Sequence, residues 1–253
     1  MNANISLSAL HSSPNQPDAA DPRFIKVGGF TPFTATDYPG KLSAVVFVQG
    51  CPWRCGYCHN PHLQPRLQQP RHPWPQVLEF LARRRTLLDA VVFSGGEPTV
   101  DPALHDAIAD VRALGFAVGL HSAGIYPQRL AEVLPLVDWI GLDIKAPFAL
   151  YDDITNTPGS GKQALAAAEA VLAAGVDYEF RTTVHSSLLS DQELIDLGHT
   201  LARMGVRNYA LQTFRTQGCA NEGLNATAKP GYPSEQLAQQ LAALFPSFTL
   251  RRG

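Results

Sequence analysis

From residue 24 onward, short apolar runs alternate with longer amphipathic stretches. The runs at residues 44–48 (AVVFV), 88–93, 117–121, 139–144, 178–184 and 208–212 are nearly continuous and rich in Val, Ile and Phe. Such runs predict strands buried on both faces. A shorter run at residues 248–251 predicts a last strand. Between the runs, apolar positions recur at helical spacing over residues 74–84, 103–114, 127–136, 162–174, 191–204 and 234–244. Helix ends carry their own signals. Ser190 and Glu193 have the spacing of a capping box, Gly175 suits a C-cap, and Ser234 suits an N-cap.

Strand–helix alternation with apolar strands predicts parallel strands covered by helices. About six βα units over residues 23–253 predict one α/β domain, a partial (open) βα barrel of about six parallel strands. An open doubly wound sheet is the competing architecture. Both gather their chemistry at the C-terminal ends of the strands. Residues 1–22 are Ser-, Asn-, Pro- and Ala-rich without a period, and are expected to form a flexible N-terminal tail. They hold no Lys or Arg and no apolar stretch like that of a secretory signal. No apolar run reaches the ~18–20 residues that span a bilayer. The expectation is therefore a cytoplasmic protein with no membrane association. Lys and Arg total 20 against 22 Asp and Glu, a formal charge of -2. That balance lacks the basic excess of a dedicated nucleic-acid binder, so no nucleic-acid partner is expected.

The first strand runs into Gln49-Gly50-Cys51-Pro52-Trp53-Arg54-Cys55-Gly56-Tyr57-Cys58-His59-Asn60. Cys51, Cys55 and Cys58 are spaced C-x3-C-x2-C on one Gly/Pro-punctuated loop. Three readings compete. A structural zinc site normally brings four protein ligands, often as two separated pairs, and the only other cysteine is Cys219. Buried, unligated cysteines are the plain alternative. A 4Fe-4S cluster is normally held by four thiolates; three would leave one iron open to a substrate or cofactor.

With an aromatic before the last cysteine, this loop resembles the radical S-adenosylmethionine superfamily. Asp37-Tyr38-Pro39-Gly40-Lys41 leads into Phe47-Val48-Gln49-Gly50-Cys51, and Tyr57-Cys58-His59-Asn60-Pro61 closes the loop. These flanks resemble the glycyl-radical-enzyme activating proteins, most of all those that activate anaerobic ribonucleoside-triphosphate reductase. The resemblance covers most of residues 27–215. It implies a barrel of radical SAM type, a 4Fe-4S cluster on Cys51, Cys55 and Cys58, and S-adenosyl-L-methionine held at the open iron. It further implies reductive cleavage of that cofactor, with the 5′-deoxyadenosyl radical taking a hydrogen from a glycine of the partner enzyme. Tyr57 and His59, beside the last cysteine, are carried over as cofactor-binding residues.

The other strand ends read as follows. Ser94-Gly95-Gly96-Glu97 closes the second strand; on its own, Gly-Gly there is a tight turn or a backbone that a ligand can approach closely. The resemblance assigns Gly95 and Gly96 to the amino group of the methionine part, with Glu97 orienting the loop or accepting a hydrogen bond. His121 and Ser122 stand where many relatives have Thr-Asn-Gly, and are polar toward the cofactor or packed in the fold. Asp143 and Lys145 share one face of the fourth strand. They form an ion pair, or, as the resemblance implies, face the ribose or a cation and the carboxylate charge. Arg181 is expected to clamp the methionine carboxylate with two parallel hydrogen bonds; pairing with Glu179 on the same face is the alternative. Gln212 is a weaker candidate for the adenine edge, and Cys219 receives no role.

The partners implied are a glycyl radical enzyme, here anaerobic ribonucleotide reductase, and an electron donor such as flavodoxin or ferredoxin. Residues 59–74, with Arg66 and Arg71, form either a solvated loop or a docking surface for them. The rival readings are an activase of the pyruvate formate-lyase type, a radical enzyme acting on a small molecule, and a non-enzymatic iron–sulfur or zinc module.

Overall fold

Eight strands lie side by side in strict chain order in one sheet. The structure is a computed structural model that describes residues 23–252; the tail expected at residues 1–22 lies outside the described residues. The elements are β1 (Val27–Thr34), β2 (Ser43–Val48), α1 (Trp74–Ala82), β3 (Ala90–Gly95), α2 (Leu104–Ala113), β4 (Ala117–Ser122), α3 (Pro127–Val133) and β5 (Trp139–Asp143). They continue with α4 (Tyr151–Thr155), α5 (Ser160–Ala174), β6 (Asp177–Val184), α6 (Asp191–Arg203), β7 (Asn208–Thr213), α7 (Glu222–Thr227), α8 (Glu235–Ala242) and β8 (Ser247–Arg251).

β2 to β8 are parallel throughout. Each parallel strand adds beside the one before it. Because such crossovers share one hand, the helices collect on one face and the sheet curls around the other. β1 and β8 do not pair, so the barrel stays open. The expected α/β partial barrel is thus present, with the short C-terminal strand as its seventh parallel member.

β1 is an addition that the hydrophobic pattern did not predict. It pairs antiparallel with β2 and breaks register between Thr31 and Thr34. Its sequence, VGGFTPFT, contains two glycines and Pro32, residues that weaken a strand and are tolerated at an edge. Helices α4 and α7 were also missed; at five and six residues they are too short to show a period. The caps are as expected. Ser190 and Glu193 form a reciprocal capping box, Ser234 accepts from the Leu237 N–H, and Gly175 ends α5 at a φ of 68°.

The core has two compartments. The larger lies between the sheet and its helices and includes Leu120, Ile140, Leu142 and Phe180. The smaller lies on the sheet's inner face and joins Val45, Ala90, Val92 and Trp139 with Tyr38. Val45, Val92, Gly119 and Trp139 stand in register across β2 to β5. Tyr38, from the β1–β2 loop, enters this layer with its ring centroid 5.3 Å from that of Trp139. Gly119 makes room, since a Cβ there would come within 3.0 Å of Tyr38 Cδ1. The loop therefore stoppers the N-terminal end of the barrel and leaves the other end for chemistry.

Deleting a large buried aromatic side chain costs roughly 3–5 kcal/mol. Tyr38→Ala is expected to lower the unfolding free energy by about 3 kcal/mol. In urea titration the midpoint should fall while the slope is retained.

Candidate functional site

The cysteine loop leaves β2 through Gly50, whose φ of 101° suits glycine. Backbone hydrogen bonds then fasten it on every side. Gly50 N–H donates to Leu63 O at 2.7 Å, and Cys51 N–H to Gln64 O at 3.0 Å. Arg54 N–H donates to Thr155 O at 2.8 Å, and Asn156 Nδ2 to Arg54 O at 2.7 Å. Glu97 N–H donates to Gly50 O at 2.8 Å, and Gly96 N–H to Val48 O at 3.0 Å.

These last two bonds explain the paired glycines. A Cβ on Gly95, which has a φ of 122°, would lie 2.4 Å from Val48 N. One on Gly96 would lie 2.4 Å from Gly50 O. Both glycines line the cavity, but the stem of the cysteine loop already requires them. Glu97 is fully buried and does not line the cavity. Its carboxylate accepts from Thr99 N–H, Thr99 Oγ1, Ser122 Oγ and Ala123 N–H. Of the two roles expected for it, the geometry matches orientation of the loop. With its acceptor sites directed inward, Glu97 holds the ends of β3 and β4 together. Burial raises its carboxyl above the usual value, while those donors oppose the shift.

Cys51, Cys55 and Cys58 line one cavity of about 420 Å³, together with Trp53, Tyr57, His59, Gly95, Gly96, His121, Asp143, Lys145 and Arg181. Among the described residues, no three His, Cys, Asp or Glu side chains meet as ligands of a single metal ion. The three thiols instead line one cavity, as a multi-iron cluster taking one thiolate per iron would require. Burial pushes the Cys51 thiol up to about 12, with the Glu97 carboxylate adding to the rise. It raises Cys55 as well, against the opposing pull of Lys145. Such thiols give up their protons to a positive centre, since metal binding is coupled to deprotonation. Cys219 does not line the cavity; its Sγ lies 3.8 Å from Gly56 O.

Lys145 Nζ sits 3.1 Å from Asp143 Oδ2 and 5.7 Å from the centroid of the Tyr57 ring. Burial, the largest single influence, would push the ammonium down, but the Asp143 carboxylate together with the Tyr57, Cys55 and Tyr151 groups holds Lys145 well above its usual value. The ion-pair alternative for Asp143 and Lys145 is therefore present, on the cavity wall. His59 also reaches the wall, yet its Nε2 donates to Arg215 O at 2.9 Å and its ring stacks on Phe214. It ties the cysteine loop to the end of β7.

Arg181 likewise realises its alternative. Its Nε donates to Glu179 Oε1 at 2.7 Å, and its guanidinium lies over the Trp139 ring at 4.9 Å. Gly141 provides the seat, because a Cβ there would lie 2.7 Å from Arg181 Cζ. Arg251 also grips Glu179, at 2.7 and 2.8 Å. His121 Nε2 lies 2.8 Å from Asp37 O and 3.3 Å from Arg181 Nη1. A carbonyl only accepts, so Nε2 carries the proton and donates to Asp37; the arginine contact is then not a hydrogen bond. Burial and the Arg181 charge lower the His121 pKa to about 4, so the ring is neutral at pH 7.

The cavity also takes in Asp37, Phe47, Asn60, Gln64, Ser94, Thr183, Gln212 and Arg215. Gln212 was weighed from the sequence; the rest were not assigned to the site. Strand alternation could have found Phe47, Ser94 and Thr183, which share parity with the inward Val45, Val92 and Arg181. The loop at residues 59–74 is less free than expected. Arg66 pairs with buried Asp101 at 2.7 Å, and Lys26 Nζ holds the carbonyls of Leu67 and Gln68. Trp53 is 1% exposed, and its indole N–H finds no acceptor among the described residues. An unmet buried donor of this kind costs about 1–3 kcal/mol.

The two guanidinia that hold Glu179 give the inner wall a pH dependence. Burial would lift the Glu179 carboxyl, but Arg251 and Arg181 outweigh it and lower the pKa from 4.5. A carboxylate with a lowered folded pKa stabilises above its unfolded value, and that stability is lost as pH falls through the folded one. Glu179→Gln is expected to cost about 2–3 kcal/mol at pH 7, the partly exposed Arg251 tempering the loss. In chemical denaturation the gap between variant and wild type should narrow as pH falls below 4.5.

Comparison with known proteins bears on this architecture. Residues 45–203 match the model of the Radical SAM superfamily. A Methanocaldococcus jannaschii protein with a provisional name as a glycyl-radical enzyme activating enzyme is 28% identical over 218 residues, 81% of this chain and 86% of that one. The pyruvate formate-lyase-activating enzyme of Clostridium pasteurianum is 34% identical over 114 residues, covering 43% of this chain and 48% of the relative. Among solved structures, Streptococcus suis SuiB bound to S-adenosylmethionine has a TM-score of 0.63 at 13% identity, over 83% of this chain and 49% of that one. That last likeness speaks for the fold alone. With the matched span running from β2 through α6 and including all three cysteines, the chain belongs to the radical SAM superfamily.

Proposed function

We propose that this protein activates a glycyl radical enzyme, and that its target is anaerobic ribonucleoside-triphosphate reductase. The observation that carries the reading is the ring of three thiols around one cavity at the open end of the barrel. The similarity to the Methanocaldococcus jannaschii protein, extending over 86% of that chain, supports the activase class. When bound, the 4Fe-4S cluster and S-adenosylmethionine supply electron transfer and hydrogen abstraction; the protein supplies placement and exclusion of water.

In this reading Cys51, Cys55 and Cys58 hold the cluster. Gly95 and Gly96 offer their backbone edge to the amino group of the methionine part. Tyr57, Asp143 and Lys145 line the side where the rest of the cofactor lies. Arg181 keeps its terminal nitrogens for a carboxylate, because only Nε is spent on Glu179 and no other oxygen accepts from it among the described residues. His59 and Glu97 position the cysteine and glycine loops. The electron donor, such as flavodoxin or ferredoxin, approaches the outer side of the loop. There Cys55 and Cys58 also border a hollow of about 290 Å³ with Arg54 and Asn221. Among the described residues no helix is long and apolar enough to cross a membrane.

A second target fits the same site. The 34% identity to the Clostridium pasteurianum protein favours an activase of the pyruvate formate-lyase type.

The test is anaerobic reconstitution with S-adenosylmethionine, a low-potential reductant and each candidate partner in turn. Electron paramagnetic resonance should show a glycyl radical on the reductase, in near-equal amount to the 5′-deoxyadenosine formed. A radical on formate-lyase alone would replace the target. Full-rate 5′-deoxyadenosine with no partner dependence would overturn the activase reading. Cys55→Ala should lose the cluster iron and sulfide, whereas Cys219→Ala should retain both.

A further inference from the structure

Arg251 stands on β8, at an edge of the sheet, two strands away from Arg181 on β6. It does not line the cavity of the cysteines. Its guanidinium nevertheless ends on the carboxylate that the cavity arginine also touches. Arg251 Nη1 donates to Glu179 Oε1 at 2.7 Å and Nη2 to Oε2 at 2.8 Å, a fork that engages both oxygens. Arg181 gives the same carboxylate one bond, from Nε to Oε1 at 2.7 Å. A two-bond fork fixes the plane and direction of a carboxylate more tightly than a single bond does. Arg251 therefore decides which way Glu179 faces. Between the two arginines, β7 carries Ala210 in register with Arg181, too small to block the way.

What remains of Arg181 belongs to the cavity. A Cβ on Gly141 would lie 2.7 Å from Arg181 Cζ, 2.9 Å from Nη1 and 3.0 Å from Nη2. Such near-equal distances lay the flat face of the guanidinium on Gly141, so its edge makes the hydrogen bonds. Arg181 lines the cavity. Its Nη2 has no hydrogen-bond partner among the described residues, and it is not sealed off as a buried atom without one. Charge points the same way. Two guanidinia share one carboxylate, so the trio keeps one net positive charge, and the neighbouring His121 is neutral. Without Arg251, the carboxylate would be free to turn and take Arg181 by two bonds, the favoured geometry for this pair. That would draw a terminal nitrogen away from the cavity and cancel the remaining charge.

We propose that Arg251 is a positioning residue for the cavity: by holding both oxygens of Glu179, it keeps a terminal nitrogen of Arg181 and one net positive charge available to a carboxylate-bearing ligand. This rests on the reading above, in which Arg181 meets the carboxylate of S-adenosylmethionine.

The test measures S-adenosylmethionine binding by calorimetry. It uses the full chain, reconstituted anaerobically and left without reductant so that the cofactor is not cleaved. Iron and sulfide content are measured first, and affinities are compared at equal cluster content. Arg251→Ala should weaken binding roughly tenfold, the scale of one charge-assisted hydrogen bond. Adding Glu179→Gln should restore most of that loss. The neutral amide no longer competes for the guanidinium, yet its oxygen still accepts from Arg181 Nε. This rescue runs against stability, since the double variant has lost both ion pairs of Glu179. A merely structural role for Arg251 would leave the double variant binding no better than Arg251→Ala, and that result would overturn the proposal. Unchanged affinity in Arg251→Ala would overturn it too. Arg181→Ala separates the two levels. If it weakens binding while Arg251→Ala does not, the positioning role alone falls. If it leaves binding unchanged, the carboxylate reading falls and takes the proposal with it. Should Arg251→Ala not fold, Arg251→Lys replaces it, because lysine keeps the charge but lacks the planar fork. Binding should again weaken and Glu179→Gln again restore it, and unchanged affinity there overturns the proposal equally.

Discussion

The site depends on how closely two backbones approach at the ends of β2 and β3. Val48, Gly50, Gly95 and Gly96 meet at distances that leave no room for a Cβ on Gly95 or Gly96. The two bonds from Gly96 N–H and Glu97 N–H fix the stem of the cysteine loop before any thiol is considered. Glu97 extends that junction to β4 through Ser122 and Ala123. One buried carboxylate and two missing side chains therefore set the height and direction of Cys51. The Gly-Gly-Glu stretch is thus a structural joint of the cysteine loop as well as a cavity wall.

The inner face of the barrel changes character along its axis. Near the strand starts it is apolar, with Tyr38 pressed among Val45, Val92 and Trp139. One layer further it turns polar, with His121, Gly141 and Glu179 in register. There the charges are neutralised in place: Glu179 by Arg181 and Arg251, and Lys145 by Asp143. His121 is kept neutral and joins this wall to the stopper loop through Asp37. Glu179, Arg181, Asp143 and Lys145 can line so enclosed a space because they are paired.

Much of this was legible because strand and loop signals are local. The parallel strands showed as apolar runs, and three cysteines within eight residues marked their own loop. Trp53 and Asp37 show where local reading stops. A buried tryptophan reads as core until its indole N–H is seen to lack an acceptor among the described residues. Asp37 reads as part of a turn until the β1–β2 loop is seen to fold back into the barrel. β1 was hidden because its two glycines and Pro32 carry edge-strand chemistry rather than an apolar run. Arg181 stands out in the sequence as a costly charge inside a strand, and the structure pairs it with Glu179. Its seat on Gly141 and its second competitor for Glu179, Arg251, lie on other strands and required the register.

The rigidity of the cysteine loop follows from the same accounting. A short loop with Gly50, Pro52 and Gly56 has few side chains with which to pack itself, so its order must come from outside. The turn at residues 61–64 holds the Cys51 end, the stretch after α4 holds Arg54, and the end of β7 holds His59. These three anchors come from widely separated parts of the chain, and none of them uses a thiol. The cysteines are thereby placed by backbone and neighbours alone. With Cys55 and Cys58 bordering both the inner cavity and the outer hollow, the loop is a thin wall between barrel and surface. A wall so thin can stay ordered only because each of its ends is fastened to a different part of the fold.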